Sequence, residues 1–263
     1  MKIIFIGAGN LAVNLAKELY SKGFKIAQVY SRTQESAEAL AQQVDARAIT
    51  DLHLVEPDAD LYIFAVKDAV LEDLLATMPA TSGVWAHTAG SVSLSVFQNY
   101  HRNFGVIYPF QTFSKNRQVN FREIPLLLEA SNAESFTVLS NLSEKISDSV
   151  ISLSSEKRKY IHLCGVFACN FVNHLYAVSE TILASQNIPF DILLPLIDET
   201  ARKVHELSPR EAQTGPAVRY DQNVIERHLS LLEGTDFKAI YDLLSKNIHE
   251  INLKKNKNEF DQL

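Results

Sequence analysis

The stretch that decides the fold is Lys2-Ile-Ile-Phe-Ile-Gly-Ala-Gly-Asn-Leu-Ala12, a short apolar run that leads into two spaced glycines. A Gly-x-Gly-x-x-Ala pattern between a predicted strand and a predicted helix is typical of the first βαβ unit of a dinucleotide-binding domain. Gly7 permits the tight turn, and Gly9 lets the backbone approach a pyrophosphate. Ala12 replaces the usual third glycine and still allows the helix to pack closely against the strand.

The flanking residues favour this interpretation over glycines that merely end a strand. Leucine and alanine recur at helical spacing along one face of residues 11–19, and Gly23 ends the predicted helix. Residues 25–30 then form a second short strand. The first N–H groups of the helix, at Asn10 and Leu11, have no partner within it and lie at its positive end, so we expect them to bind the pyrophosphate.

The tip of the second strand reads Tyr30-Ser-Arg-Thr33 and bears on which dinucleotide binds. An NAD site usually has an acidic residue here, because a carboxylate accepts a hydrogen bond from the ribose 2′-hydroxyl. Arg32 instead offers a bidentate partner for a 2′-phosphate, and Ser31 and Thr33 offer hydroxyl donors to its remaining oxygens. The tip therefore favours NADP. The alternative is that Arg32 is a solvated loop residue and Thr33 only caps the next helix.

A third strand is predicted within residues 60–66, a nearly continuous apolar run typical of a strand buried on both faces. In a doubly wound sheet, ligands bind beyond the carboxyl ends of the strands. We therefore expect Ala65, Val66 and Lys67 to border the cofactor. Lys67 is equally well interpreted as a solvated residue beside a helix that Asp68 opens.

Two further strands are predicted, one at residues 83–87 and one within residues 104–112 that is followed by an extended segment at Pro109, and both lead into small or polar residues. His87 is either a proton donor or a strand-end histidine with satisfied hydrogen bonds. The polar residues after the later strand either face the substrate or bond the backbone of their own loop. The expected cofactor contacts are His87, Thr88 and Ala89, and the expected substrate contacts are Gly90, Ser91, Gln111 and Thr112.

The alternation of strands and helices stops at Leu153, and long helical stretches follow. The predicted fold is therefore α/β, with a Rossmann-type dinucleotide-binding domain at residues 1–153 and an all-α substrate and dimerisation domain at residues 154–263. The last ten residues, 254–263, are predicted to form a polar and mobile tail.

The first helix of the helical domain is apolar nearly all round over Cys164-Gly-Val-Phe-Ala-Cys-Asn-Phe-Val172. Such a surface predicts burial on several sides. A homodimer that buries this helix between subunits is the economical explanation, and the alternative is a helix threaded through the bundle of its own chain.

Two polar side chains on this helix, His162 and Asn170, are candidate catalytic residues. They lie about 80° apart around the helix, so both can face one cleft. A buried amide without a partner costs on the order of 1–3 kcal/mol, so a buried Asn170 needs a substrate or the nicotinamide amide. We predict that His162 supplies a proton and Asn170 orients the acceptor. The alternative is a capped core asparagine beside an interfacial histidine.

Composition excludes some classes of partner. The 263 residues carry a net charge of −6, with a sequence pI near 5.8, so neither nucleic acid nor an anionic membrane is expected as the main partner. The two cysteines, Cys164 and Cys169, have no metal-ligand spacing, and we expect small core residues in a reducing cytoplasm and no metal site. We expect no leader peptide and no apolar stretch of membrane-spanning length.

Together these residues resemble the superfamily of pyrroline-5-carboxylate reductase and the deazaflavin-dependent NADP oxidoreductases. The closer resemblance is to bacterial NADP oxidoreductases with a helical C-terminal domain of unassigned function. It implies a Rossmann domain, a dimerising helical domain and a cleft between them. Four segments carry the closer resemblance: His87-Thr-Ala-Gly-Ser91, Tyr108-Pro-Phe-Gln-Thr-Phe113, Tyr160-Ile-His-Leu-Cys-Gly-Val-Phe-Ala-Cys-Asn170 and Thr214-Gly-Pro-Ala-Val-Arg-Tyr-Asp221.

The last of these segments is similar to a loop that helps to bind the substrate carboxylate in the pyrroline reductases. The resemblance implies substrate contacts at Thr214 and Gly215. Arg219 is either an anion-binding residue anchored by Asp221 or part of a surface ion pair. The segment lacks the longer Gly- and Thr-rich run of the pyrroline reductases, which argues against a role in proline biosynthesis.

The sequence thus predicts an NADP-dependent oxidoreductase that transfers a hydride to or from a small carbonyl, imine or hydroxy acid in the interdomain cleft. A non-catalytic NADP-binding redox sensor or assembly partner is the alternative, because hydride transfer needs neither a protein nucleophile nor a metal. The substrate, the direction of reaction and the use of a second cofactor such as a deazaflavin stay open.

Overall fold

The structure, a computed structural model, describes the backbone of residues 1–260 and the side chains of residues 1–254. It contains two compact units, of which the first runs from Met1 to Phe171 and the second begins at Val172. The predicted division at residue 153 follows the end of the strand and helix alternation, whereas the first compact unit continues to Phe171. Apart from Lys254, the predicted polar tail lies outside the described side chains.

Eight strands form one sheet in the first unit. They are β1 (Lys2–Ile6), β2 (Lys25–Tyr30), β3 (Arg47–Ile49), β4 (Leu61–Phe64), β5 (Val84–His87), β6 (Phe104–Pro109), β7 (Leu126–Ala130) and β8 (Val150–Ser152). Their order is β3-β2-β1-β4-β5-β6-β7-β8. All neighbouring pairs are parallel except β6 and β7. The prediction of a Rossmann-type α/β region followed by a helical region is confirmed, and β3 is a strand that the sequence patterns did not indicate.

Helices cover this sheet and make up the second unit. The first unit contains α1 (Asn10–Ser21), α2 (Gln34–Ala41), α3 (Asp68–Thr77), α4 (Ala133–Ile146) and α5 (Ser155–Gly165), and α5 continues into a π-helical segment, Val166–Phe171. The second unit contains α6 (Val172–Ser185), α7 (Leu194–Glu206), α8 (Pro209–Ala212), α9 (Pro216–Arg219), α10 (Gln222–Leu231) and α11 (Phe237–Phe260).

Strand β1 shows why the sheet is buried on both faces. Successive side chains of a strand point to opposite faces. Ile3 and Phe5 belong to one apolar cluster, whereas Ile4 and Ile6 belong to another, and all four side chains are fully buried. With both faces covered, the carboxyl ends of the parallel strands are the edge that remains for a ligand.

The helical run from α5 to α6 is exposed within the single chain. Tyr160, Leu163, Phe167 and Phe171, called here the apolar stripe, are between 50% and 71% exposed. This exposure contradicts the alternative of a helix buried in the bundle of its own chain, and burial between subunits stays a prediction. Cys164 is exposed and Cys169 partly so, and both thiols are free, which corrects their assignment as core residues.

Among the residues that the structure describes, one helix meets the length and composition criteria for a membrane span, which corrects the expectation that no stretch does. It is the run Ser155–Ser185, whose most apolar window has a mean hydropathy of 1.3. The core helix of a soluble protein meets the same criteria.

Candidate active site

A cavity of about 300 Å³, called here the glycine-loop cavity, lies at the carboxyl ends of β1, β2 and β4. Seven of the predicted cofactor residues line it: Gly7, Gly9, Ser31, Arg32, Ala65, Val66 and Lys67. The structure thus brings together residues from three strand ends that lie far apart in the sequence.

The two glycines of this cavity serve different purposes. Gly7 has φ +120°, and an added Cβ there would lie 2.3 Å from the carbonyl oxygen of Ala65, so only glycine fits between β1 and β4. At Gly9 an added Cβ would meet no atom within 4 Å. Gly9 precedes the first residue of α1, where the backbone N–H groups of Asn10 and Leu11 face outward without helical partners. The space above Gly9 fits the pyrophosphate of a dinucleotide.

The far end of the cavity is positively charged. Arg32 lines it together with Ser31, Ser36 and Lys115, and none of the described lining residues carries a carboxylate. This composition fits a 2′-phosphate and would leave a ribose 2′-hydroxyl without an acidic acceptor. Thr33 does not line the cavity. It occupies the N-cap position of α2, but its side chain makes no capping hydrogen bond.

Sequence reasoning missed Ser36 and Lys115. Ser36 lies in the first turn of α2, just after the Tyr-Ser-Arg-Thr tip, so its position in sequence was a usable signal. Lys115 comes from the segment of residues 110–115, called here the bridging loop. Only tertiary contacts bring that loop to α1: the side-chain amides of Asn10 and Asn14 donate to the carbonyl oxygens of Phe113 and Ser114, at 3.0 and 3.1 Å.

A second cavity, of about 360 Å³, lies beside the end of β6 and is called here the tyrosine–histidine cavity. It brings together four residues predicted from the sequence: Gln111, Thr112, His162 and Asn170. The other residues that line it are Tyr108, Phe110, Gly165, Val166, Ala168 and Cys169. All of these belong to the first compact unit.

The polar centre of this cavity is the pair of Tyr108 and His162, of which the sequence predicted only His162. The hydroxyl of Tyr108, near the end of β6, lies 3.0 Å from Nδ1 of His162 on α5. Burial raises the pKa of the Tyr108 hydroxyl, so this group keeps its proton at neutral pH. Tyr108 begins the Tyr-Pro-Phe-Gln-Thr segment, and its position at a strand end was the only available signal.

Asn170 lines the cavity for a reason other than the predicted one. Its side chain is exposed in the single chain, so the argument from a buried, unpaired amide does not apply. The π-helical segment begins four residues after His162 and contains Asn170. Single π turns within α-helices occur frequently at functional sites.

The loop after β5 contacts both the end of β4 and the tyrosine–histidine pair. The Thr88 N–H donates to the carbonyl oxygen of Phe64, at the end of β4. Two residues later, an added Cβ at Gly90 would lie 2.6 Å from Nδ1 of His162 and 2.8 Å from Cζ of Tyr108. Gly90 therefore packs directly against the tyrosine–histidine pair. Ser91 donates a short hydrogen bond to Asp68 at the start of α3.

The side chains of His87, Thr88 and Ala89 do not line either cavity. The His87 ring is fully buried and packs on Phe97, and its Nδ1 accepts a hydrogen bond from the Ala89 N–H. Burial, together with the nearby charge of Arg158, lowers the pKa of His87 to about 3. His87 is therefore a neutral core residue at the end of β5, but its hydrogen bonds are not all satisfied, because Nε2 is buried without a hydrogen-bond partner among the described residues.

A buried ion pair supports the base of α5. The fully buried Arg158 donates to the Glu129 carboxylate on β7 at 2.6 Å and to the Val92 carbonyl oxygen at 2.5 Å. Burial of Glu129 favours its neutral form, but hydrogen bonds from Ser155 and Arg158 outweigh this and lower the Glu129 pKa. Arg158 lies one turn before His162 on α5, so these bonds hold α5 against the sheet and against the loop that carries Gly90.

The remaining predicted substrate residues belong to the second unit. Thr214 and Gly215 precede α9, as a helix-start loop should, and Gly215 has φ +106°. Arg219 is exposed. Asp221 does not anchor it among the described residues: its carboxylate accepts from the Val224 N–H and caps α10. In the part of the chain that the structure describes, no group of three His, Cys, Asp or Glu side chains is placed to hold a metal ion.

The fold and the glycine-loop cavity define the class of Rossmann-type dinucleotide-binding proteins. Comparison with protein families makes this more specific. Residues 2–87 match the family described as NADP oxidoreductase, coenzyme F420-dependent. Residues 124–248 match a domain of unknown function, DUF2520. None of the curated proteins matches the sequence.

Among solved structures, the chain is 52% identical to a protein from Bacteroides fragilis titled "putative NADP oxidoreductase", with a TM-score of 0.91 and 95% of this chain and 98% of that one covered. The chain belongs to the same NADP oxidoreductase family as that protein, which confirms the family resemblance seen in the sequence.

Two more distant structures share the fold. An imine reductase from Myxococcus stipitatus in complex with NADP⁺ is 14% identical, with a TM-score of 0.66 and 98% and 95% of the two chains covered. A 1-pyrroline-5-carboxylate reductase from Streptococcus pyogenes is 17% identical, with a TM-score of 0.65 and 95% and 98% covered.

Proposed function

We propose that this chain is an NADP-dependent oxidoreductase that transfers a hydride to or from a small carbonyl, imine or hydroxy acid held in the tyrosine–histidine cavity. The observation that carries the proposal is the contact of Gly90 with Tyr108 and His162, two residues after Thr88 bonds the end of β4. It supports a continuous path from the cofactor to the pair. The location of the substrate in an interdomain cleft stays a prediction.

The residues of the glycine-loop cavity bind and orient the cofactor. The N–H groups at the start of α1 bind the pyrophosphate above Gly9, and Arg32 with Ser31 binds the 2′-phosphate. Val66 and Lys67, after β4, border the ribose on the nicotinamide side. When bound, NADPH supplies a hydride to the acceptor carbon, or NADP⁺ receives it in the reverse direction.

The pair in the second cavity supplies the proton. The hydroxyl of Tyr108 shares a hydrogen bond with Nδ1 of His162 and orients the ring, which leaves Nε2 as the ring nitrogen that can reach the acceptor. His162 donates a proton from Nε2 to the acceptor oxygen or nitrogen as the hydride forms the new C–H bond, and solvent then returns a proton to His162. The amide of Asn170 and the polar ends of Gln111 and Thr112 orient the acceptor.

The proposal is tested by NADPH oxidation with a panel of cyclic imines, imino acids, small ketones and α-keto acids. For an acceptor that turns over, His162→Gln should lower kcat by about 100-fold or more, while the Kd of NADPH stays within about twofold. His53→Gln is the matched control, because His53 lies on a short 3-10 turn and lines neither cavity. A kcat unchanged in His162→Gln contradicts the proton-donor role.

A non-catalytic NADP-binding sensor or assembly partner is the second candidate, since its cofactor site would be the same. A sensor would bind NADPH, reduce no member of the panel, and show little effect of His162→Gln or Asn170→Ala. The convergence of Tyr108, His162 and Asn170 on one cavity favours the enzyme.

We also propose a homodimer formed through the helical region, in the cytoplasm. The apolar stripe exposes four large side chains along one helix, and such a surface on a soluble chain marks an interface. The two free thiols are consistent with a reducing compartment. Sedimentation equilibrium should give twice the 29.5 kDa mass of one chain, and a monomer at micromolar concentration contradicts the dimer.

A further inference from the structure

We propose that Lys115 is a second cationic ligand of the cofactor's 2′-phosphate and makes the chain selective for NADP over NAD. The inference deepens the proposed function and rests on it. Lys115 lies in the bridging loop, far in sequence from the strand tip that carries Arg32, yet both line the glycine-loop cavity.

Charge around the cavity supports this role. Neither Arg32 nor Lys115 forms an ion pair among the described residues, and both side chains are exposed. Three cations, Arg32, Lys67 and Lys115, line the cavity and repel one another until an anion lies between them. Lys67 follows β4, on the side assigned above to the nicotinamide ribose, so Arg32 and Lys115 are the cations left for the 2′-phosphate. A phosphate monoester carries about −1.5 to −2 charges at neutral pH, so Arg32 alone leaves part of that charge unmatched, and Lys115 supplies the second positive charge.

The loop geometry explains how Lys115 is held there. Asn10 and Asn14 lie one turn apart at the start of α1, and their amides bond the two carbonyl groups just before Lys115. The Asn14 amide also donates to the Asn10 carbonyl oxygen at 2.8 Å, which fixes its rotamer. The helix that presents N–H groups to the pyrophosphate therefore also positions the lysine for the 2′-phosphate.

The test is calorimetric titration of the full chain with NADPH, NADH, adenosine 2′,5′-bisphosphate and 5′-AMP. Lys115→Met keeps most of the aliphatic stem and removes the charge. It should raise the Kd of NADPH and of adenosine 2′,5′-bisphosphate about tenfold and leave the Kd values of NADH and 5′-AMP unchanged. Lys115→Arg should restore most of the loss.

Lys17→Met is the matched control. Lys17 shares a neighbouring surface groove with Lys115 but does not line the glycine-loop cavity. The Lys17→Met variant should leave the Kd values of all four ligands unchanged. An equal loss in Lys17→Met would show that general surface charge, and not a specific contact, attracts the ligand.

The outcomes separate this inference from the proposed function. If wild-type protein binds NADPH no better than NADH, the NADP preference itself fails. If wild type prefers NADPH and Arg32→Met loses that preference while Lys115→Met does not, the site stands and the role of Lys115 is overturned. If Lys115→Met weakens NADPH and NADH equally, Lys115 contacts the pyrophosphate and the inference is wrong.

Discussion

The glycine-loop cavity and the tyrosine–histidine cavity belong to one compact unit, but they are built from different material. The first is lined by several glycine, alanine and serine residues at or just after strand ends, together with three exposed cations, Arg32, Lys67 and Lys115. The second depends on side chains from β6, the bridging loop and the π-helical segment. The difference teaches that a nucleotide can be bound by the geometry of the chain itself, whereas proton transfer needs particular side chains in contact.

Glycine substitutions separate the two kinds of site, and the largest effect is expected at Gly9. An added side chain there meets no protein atom but fills the space above the start of α1. Gly9→Val should raise the Kd of NADPH by about 100-fold, because the pyrophosphate loses its N–H partners. This change in Kd corresponds to a loss of about 2.7 kcal/mol of binding free energy. The melting temperature should change little. Calorimetry measures the Kd and thermal denaturation measures the melting temperature. An unchanged affinity of Gly9→Val for NADPH would show that the pyrophosphate does not bind above Gly9.

A smaller effect is expected at Gly90, where a substitution should lower kcat and leave the affinity for the cofactor nearly unchanged. Here a methyl group would overlap the His162 ring and displace the pair with Tyr108. Gly90→Ala should lower kcat by about tenfold and leave the Kd of NADPH within about twofold, because the glycine-loop cavity is untouched. Steady-state kinetics and calorimetry on the same preparation measure this. Equal loss of cofactor affinity would mean that the two cavities do not act separately.

A further prediction concerns acid stability, which depends on the buried ring of His87, a residue that lines neither cavity. The pKa of His87 is about 3 in the folded chain against an ordinary 6.5, so the unfolded chain binds the extra proton between these values. Its contribution to stability is complete above about pH 6.5 and is lost as the pH falls, at a slope of up to about 1.36 kcal/mol per pH unit.

The conservative variant His87→Gln isolates this contribution. Urea denaturation between pH 4.5 and 6.5 should show a steeper fall in the unfolding free energy for wild type than for His87→Gln. Above pH 4.5 the Glu129 carboxylate, whose pKa is lowered, contributes little to the slope. Parallel slopes in the two proteins would mean that His87 is not buried as a neutral ring.

The same difference explains what was predictable from the sequence. The turn at Gly7 and Gly9 and the Arg32 tip are local patterns, because each acts within a few residues of a strand end. The sequence predicted a cofactor contact at Thr33, whereas Ser36 is the residue that lines the cavity. The sequence pattern at the strand tip locates the loop, but it does not show which way each hydroxyl points. Lys115 had no local signal, since only the amides of Asn10 and Asn14 hold its loop at α1.

The tyrosine–histidine cavity was predictable only in part, for the same reason. His162 and Asn170 stood out as polar residues on an apolar helix, and both line the cavity. The argument from a buried amide does not hold for Asn170 in the single chain, where the residue is exposed, and an α-helical pattern cannot reveal the π-helical segment that contains it. Tyr108 was missed because its partner His162 lies on an element that meets β6 only in the folded chain.

The most direct test of the account is the position of the nicotinamide in a crystal structure of the chain with NADP⁺. We predict that the 2′-phosphate lies between Arg32 and Lys115, the pyrophosphate above Gly9, and the C4 atom of the nicotinamide facing Tyr108 and His162 across a space that fits one small acceptor. A nicotinamide bound away from the tyrosine–histidine cavity would contradict the central claim that the two cavities form one hydride-transfer site.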